Sequence, residues 1–179
     1  MAYPTLPAFV VVASKGLDEY LLAHPVMQFL RDYTEAFDNK VRDDRPWYTP
    51  DFIYTRSNGE SFRGKEGIDC MHTVFALFTN YYHEPVCAVI TKTAHGYSVF
   101  GYAKVFVNLP GEGSGKKVED LLGRKWDCIE HATFIFDVVR DDTGVRGLRF
   151  KSMKHFGDPT PIFGEAIRRS VLSSDNLTA

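Results

Sequence analysis

A lysine and a glutamate set among aromatic residues on two long strand-like runs are the side chains of this sequence best suited to chemistry. In the run 97–109, a period of two puts Phe100, Tyr102, Lys104 and Phe106 on one side, with Val99, Gly101, Ala103, Val105 and Val107 on the other. In the run 125–139 the same alternation groups Trp126, Cys128, Glu130, Ala132, Phe134 and Phe136. A cation and a carboxylate among apolar neighbours need either water or each other. The spacing therefore predicts a lined pocket holding Lys104 and Glu130. The alternative is that the small aliphatic side of the first run is core and Lys104 meets solvent. His131 alternates to the side opposite Glu130, which excludes the two from acting together in one cavity.

Such residues need a frame. From Pro25 to Val41, Val26, Phe29, Leu30, Tyr33, Phe37 and Val41 recur at helical spacing with Arg31, Asp32, Glu35 and Asp38 opposite, which predicts an amphipathic helix opened by proline. Asp51 to Arg56 reads as a strand entering a turn at Asn58-Gly59. A second helix is expected from about Lys65 to Tyr82, with Met71, Phe75 and Phe78 on its apolar stripe and His72 beside them, stopped by Pro85. A strand over 86–94, a turn at His95-Gly96 and the two long runs follow. The Gly-rich and charged stretch 110–124 between those runs is long enough to act as a lid. Asp141 to Gly144 turns the chain into a last strand, Val145 to Phe156, and Ile162 to Leu172 reads as a terminal helix before a loose tail.

Ahead of this frame, residues 1–25 read as an N-terminal arm: Ala8 to Ala13 either adds a strand or lies on another surface, and Ser14 caps a short helix. Residues 26–160 form one α+β domain with helices on one face of a curved antiparallel sheet, and 161–179 a C-terminal helix and tail.

Composition narrows the function classes. The 179 residues suffice for one domain with a sizeable core. The 21 basic and 23 acidic residues nearly cancel, so no global field attracts a nucleic acid. Cys70, Cys87 and Cys128 lie far apart, which indicates neither a disulfide framework nor a zinc site. No apolar run is long enough to span a bilayer, and the short run 8–13 lacks the basic stretch of a secretory signal, so a cytoplasmic location is expected. Asn176-Leu177-Thr178 matches a glycosylation acceptor by chance in such a chain. Gly111 to Lys117 reads G-E-G-S-G-K-K, but its spacing fails the phosphate-loop pattern and a strand follows it.

The order of elements, with Tyr48-Thr49-Pro50-Asp51-Phe52 at the first strand, Phe62-Arg63-Gly64 before the second helix and His155-Phe156-Gly157-Asp158-Pro159 closing the last strand, resembles the nuclear transport factor 2-like superfamily. Within it the SnoaL-like polyketide cyclases, limonene epoxide hydrolase and ketosteroid isomerase are similar. The long arm and C-terminal helix also resemble small fungal dehydratases of the scytalone dehydratase type. The resemblance covers about residues 25–160 and implies a cone-shaped barrel with helices on the concave face of the sheet, often a homodimer, and chemistry without metal or organic cofactor. It also implies inward positions: Tyr54 and Arg56 on the first strand, Cys128, Glu130, Ala132 and Phe134 on the long strand, and Met153 and His155 on the last. Where epoxide hydrolases hold an Arg-x-Asp pair, this chain has Tyr102 and Lys104, which argues against epoxide hydrolysis by that route.

On these positions Glu130, His155, Tyr102 and Lys104 are the candidate catalytic residues. Tyr54, Arg56, Tyr33, His72, Phe75, Phe100, Cys128, Phe134 and Met153 would line the substrate site. Glu130 beside Lys104 would serve as base while a tyrosine or His155 donates to a developing enolate oxygen. The expected reaction is isomerisation, cyclisation or dehydration next to a carbonyl of a small hydrophobic polyketide- or terpenoid-like substrate. The alternatives are a non-catalytic binding or dimerisation module and an epoxide hydrolase; an enzyme should gather titratable side chains around one point, and a scaffold should have a filled apolar interior. Duller readings stand beside these: Glu130 paired with Lys104 or Arg149, His155 at a sheet edge, Tyr33 as packing, Arg56 in solvent and His72 as a packed or surface histidine.

Overall fold

The computed structural model describes residues 8–13, 15–113 and 115–172. In chain order the strands are β1 (Ala8–Val12), β2 (Tyr48–Thr55), β3 (Ser61–Arg63), β4 (Asn80–Lys92), β5 (Gly96–Asn108), β6 (Val118–Glu119), β7 (Lys125–Trp126), β8 (Cys128–Val145) and β9 (Leu148–Gly157). The helices are α1 (Glu19–Leu22), α2 (Pro25–Asp38), α3 (Gly64–Ala76) and α4 (Thr160–Arg168). Seven strands make one sheet in the order β1-β4-β5-β8-β9-β2-β3, and β6 and β7 form a small separate ribbon. Every pairing in the large sheet is antiparallel except β2 with β9, so the sheet is mixed. The helices cover its concave face, giving the α+β architecture expected from the sequence.

Several element boundaries differ from expectation. The arm does contribute a strand: β1 pairs with β4 from Ala8↔Thr91 to Val12↔Cys87. Asp18 caps α1 by accepting from the Leu21 amide at 2.9 Å; the expected cap Ser14, like the tail beyond 172 and the 176–178 motif, lies outside the described residues. The second helix ends at Ala76, and the chain enters β4 at Asn80, before Pro85. Pro85 is tolerated inside that strand because β1 covers only the stretch 87–91 of its other edge and a bulge falls between Pro85 and Cys87, so a missing N–H breaks no ladder bond there. The turn before the last strand comes at Arg146-Gly147, where φ values of 55° and 71° give the left-handed pair of a two-residue hairpin between Val145 and Leu148. The connection after β5 is pinned rather than free: Asp120 accepts from the amides of Leu122 and Arg124, from Arg124 Nε and from Trp126 Nε1.

The largest correction concerns which side of β5 faces inward. Directly paired residues share a face, and Val105↔Glu130, Ala103↔Ala132 and Gly101↔Phe134 put the small aliphatic side of β5 with Glu130 and Phe134 on the concave side. Val99 and Val105 are each 1% exposed, whereas Phe100 is 53% exposed on the convex side. Burying the branched aliphatic row under the helices removes more apolar surface from water than burying a row interrupted by a lysine. Trp126 also leaves the inward set: the chain breaks between β7 and β8, and the indole stacks on Tyr82 at 6.2 Å on the outer face.

Candidate active site

Between α2, α3 and the sheet opens a cavity of about 670 Å³ with a mainly apolar lining, which extends as far as Tyr82, Glu84, Tyr102, Leu121 and Trp126. One face of α2 supplies Met27, Leu30, Tyr33, Thr34, Phe37 and Asp38 at the spacing of a helical stripe. α3 adds Met71 and Phe75, and β2 adds Tyr54. The sheet side is laid out in rows of cross-strand partners. One row runs His83, Val105, Glu130 across β4, β5 and β8. A second runs Ala88, Gly101, Phe134, His155, reaching β9. Between them lies a row of small residues, Pro85, Ala103, Ala132 and Gly157, over whose last member the Glu130 carboxyl reaches toward His155.

The most strongly organised group in the cavity is a carboxylate–imidazole pair that the sequence reading missed. Asp38 ends α2 and meets His83 near the start of β4. The carboxylate Oδ2 accepts the His83 backbone N–H at 2.9 Å, and Oδ1 lies 2.6 Å from His83 Nδ1. Both side chains are almost buried, at 14% and 12% exposure. The ring is set among Phe75 at 5.5 Å, Phe37 at 5.8 Å and Phe134 at 6.1 Å. Asp38 thus fixes the ring orientation and holds the proton on Nδ1, which leaves Nε2 as the lone-pair nitrogen.

Glu130 and His155 form a second carboxyl–imidazole pair. Glu130 Oε1 stands 3.5 Å from His155 Nε2, and that nitrogen is buried without a hydrogen bond. His155 stacks on Phe134 with centroids 5.0 Å apart and lines the cavity. Burial, the largest cause for each, raises the Glu130 pKa to about 7 and lowers that of His155 to about 4. Tyr33 and Tyr48 share a hydrogen bond of 2.7 Å, and burial raises both phenols. Burial likewise holds Tyr54 up at about 12, so all three are neutral donors.

Of the residues singled out from the sequence, Tyr33, Tyr54, Phe75, Phe134, Met153 and His155 line the cavity, and Glu130 lies behind His155. Tyr102 also borders the cavity, and the others are elsewhere. Lys104 is on the convex face, where its Nζ donates to buried Glu84 at 3.0 Å. Phe100 is on that face too, and the Tyr102 hydroxyl bonds His131 there. Arg56 follows the end of β2, pairs with Glu60 at 3.4 Å and covers the Phe62 ring. His72 lies on the far side of Phe37, held by Asp44 at 2.8 Å and by Arg42. Cys128 is buried under α4, its Sγ 3.7 Å from the Pro161 carbonyl.

Asp38 and His83 escaped notice for identifiable reasons. Helical spacing groups Asp38 with the polar side of α2, and it extends the second helix to Tyr82, which leaves His83 in a loop. One signal was available: an acid in the last turn of a helix opposes the macrodipole, and α2 has no basic residue there to offset it. Among the described residues no cluster of three or more His, Cys, Asp or Glu side chains is arranged to hold a metal ion, and no helix is long and apolar enough to cross a membrane.

No protein-family model and no curated protein sequence matches the chain. Solved structures do resemble it. A candidate scytalone dehydratase from Novosphingobium aromaticivorans superposes with a TM-score of 0.58 at 11% identity, over 78% of this chain and 85% of that one. A hexachlorocyclohexane dehydrochlorinase, LinA type 2, gives 0.55 at 12% identity over 75% and 83%. Nuclear transport factor 2 from Cryptosporidium parvum gives 0.50 at 17% identity over 73% and 90%. The strand order, the helices on one side of the sheet and these likenesses together identify the fold as nuclear transport factor 2-like.

Proposed function

We propose that this protein is an acid–base lyase or isomerase acting on a small hydrophobic cyclic ketone, with His83 as the base that removes a proton from the carbon next to the carbonyl. The observation that carries this reading is the Asp38–His83 pair opening onto a largely apolar cavity. An imidazole oriented by a carboxylate is the usual way to hold a base in one tautomer, and its positive charge after proton uptake is stabilised by the same carboxylate. Tyr54, with its hydroxyl in the cavity and its proton firmly held, donates to the enolate oxygen. Dehydration of a β-hydroxy ketone is the favoured reaction: two of the fold neighbours carry the names of a dehydratase and a dehydrochlorinase. A bicyclic polyketide-like substrate suits a cavity of this size and lining. His83 replaces Glu130 beside Lys104 as the base, because Lys104 is outside.

The test is to incubate the purified protein with 3-hydroxy-1-tetralone and follow the absorbance of the 1-naphthol that forms on loss of water. Turnover by the wild type with His83→Gln at background supports the reading. Equal rates for the two overturn it and leave a binding module.

A second copy of the chain is the proposed partner. On the convex face Val10, Val89, Phe100 and Ile135 form one row across four strands, and Val12, Cys87, Tyr102, Thr133 and Phe156 form the next. Val12 is 64% exposed and Phe100 53%. Such an apolar patch suits pairing with its own copy about a two-fold axis. Light scattering should give the mass of a dimer for the wild type and of a monomer for Phe100→Lys; a monomeric wild type overturns it.

A further inference from the structure

We propose that Glu130 and His155 are the acid arm of the same reaction: His155 Nδ1–H protonates the departing oxygen of the substrate, and Glu130 refills the ring from behind through Nε2. The inference rests on the reading of the cavity as an elimination site, and it assigns a proton donor to the leaving group, for which the Asp38–His83 pair makes no provision.

Three features of the geometry carry it. First, the two nitrogens of His155 lie in different surroundings. Nε2 is buried, without a hydrogen bond, and has the Glu130 carboxyl 3.5 Å away. Nδ1 is not among the buried unpartnered atoms, and the ring lines the cavity, so Nδ1 is the nitrogen on the substrate side. Second, the place of Glu130 is built. A Cβ on Gly157 would lie 2.0 Å from Glu130 Oε1, so the carboxyl occupies the space that only glycine leaves free in that row of β9. Third, the pair and the base are brought to one cavity by the sheet. His83 and Glu130 belong to one row with β5 between them, which spaces their Cα atoms by roughly 10 Å at two strand separations. Phe134, which lines the cavity, has its ring centroid 6.1 Å from that of His83 and 5.0 Å from that of His155, so a ring seated against Phe134 is within reach of both imidazoles.

The protons balance. His83 Nε2 takes the proton from the carbon next to the carbonyl, the C–H electrons form the new double bond, and the carbon–oxygen bond breaks toward the leaving group. The departing hydroxyl takes the Nδ1 proton and leaves as water, while the carboxylic proton of Glu130 passes to Nε2. Afterwards His83 is protonated, His155 carries its proton on Nε2 and Glu130 is a carboxylate; the His83 proton passing through water to His155 Nδ1, with the Nε2 proton returning to Glu130, resets the site. Raised for Glu130 and lowered for His155, the pKa values favour the starting state of a protonated acid behind a neutral imidazole.

A leaving group that needs no proton separates this role from the base and from a merely structural one. The test compares 3-hydroxy-1-tetralone with 3-(4-nitrophenoxy)-1-tetralone in the full-length wild type, His155→Phe, Glu130→Gln and His83→Gln. His155→Phe and Glu130→Gln are expected to lower kcat/KM for the hydroxy ketone by about 10²-fold or more and for the nitrophenoxy ketone by less than about 3-fold. His83→Gln should lower both alike. Equal losses on the two substrates in His155→Phe and Glu130→Gln, or no loss on either, overturn the acid arm and leave His83 as base. Turnover of neither substrate by the wild type removes the elimination reading and the acid arm with it. Glu130→Gln keeps the shape of the side chain, so its result holds even where His155→Phe fails to fold.

Discussion

His83 and Glu130 are in register across the sheet, with only Val105 between them, and each belongs to its own carboxyl–imidazole pair. The two pairs are arranged in opposite senses. Asp38 has both oxygens committed to the backbone N–H and ring nitrogen of His83, as a carboxylate does. Glu130 has no such donors and sits where burial favours its protonated form. Two similar groups in unlike surroundings can therefore take unlike parts in proton transfer.

Asp38→Asn tests the first pair. An amide at this position no longer compels Nδ1 to carry the proton, so Nε2 is no longer reliably the lone pair facing the substrate. We expect kcat on 3-hydroxy-1-tetralone to fall by about 10²–10⁴-fold, with KM little changed and the circular dichroism spectrum intact. Retention of full kcat would show that Asp38 only fastens α2 to β4.

Stability against pH tests the second pair. The folded-state pKa of Glu130, about 7, lies above its ordinary 4.5, so the folded chain holds this proton more tightly than the unfolded one. The stabilisation is whole below about 4.5, declines as the pH rises through 7 and is gone above it; a shift of this size corresponds to about 3 kcal/mol. His155 works in the opposite sense, with a folded pKa of about 4 below its ordinary 6.5, and costs stability as the pH falls through that window. Glu130→Gln is thus expected to raise the urea midpoint at pH 8 and to leave it unchanged near pH 4.5. An equal change at both values would mean that Glu130 is ionised throughout.

How far the sequence disclosed this arrangement depended on the kind of signal. The helices and strands came from periodicity, which survives in α2, β5 and β8 because each has one face that must be buried. What alternation does not supply is the sign of the face. On β5 both sides are apolar enough to be core: the pattern favours the aromatic side with Lys104, whereas Val99 and Val105 are the buried residues. On β8 only one side carries Glu130 and Phe134, and the reading placed it inward as the structure does. Asp38 and His83 come together only through the docking of α2 on the free stretch of β4, a long-range relation that no local pattern encodes.

Lys104→Met tests that reversal. Lys104 is outside the cavity, so the variant should turn over 3-hydroxy-1-tetralone as the wild type does. It should nonetheless be less stable, since Glu84 is 2% exposed and would retain the Leu121 amide at 2.7 Å as its donor while losing the ammonium. The expected cost is about 1–3 kcal/mol at neutral pH, read from denaturant unfolding. Loss of turnover without loss of stability would return Lys104 to the site.

Gly157→Ala ties the row of small residues to Glu130. The added methyl would stand 2.0 Å from Oε1 and 2.9 Å from Cδ of Glu130, so one of the two must move. The carboxyl is the end of a flexible side chain while Gly157 is held in the β8–β9 ladder opposite Ala132, and the carboxyl therefore gives way. Displacing it parts Glu130 from His155, which lowers turnover of the hydroxy ketone as Glu130→Gln does. The cost in stability is about 1–3 kcal/mol for overpacking. In a Glu130→Ala background the methyl enters vacated space, so most of that cost should disappear, a coupling of about 0.5–3 kcal/mol in a double-mutant cycle. Additive effects of the two substitutions on both stability and turnover would mean that the carboxyl does not lie over Gly157.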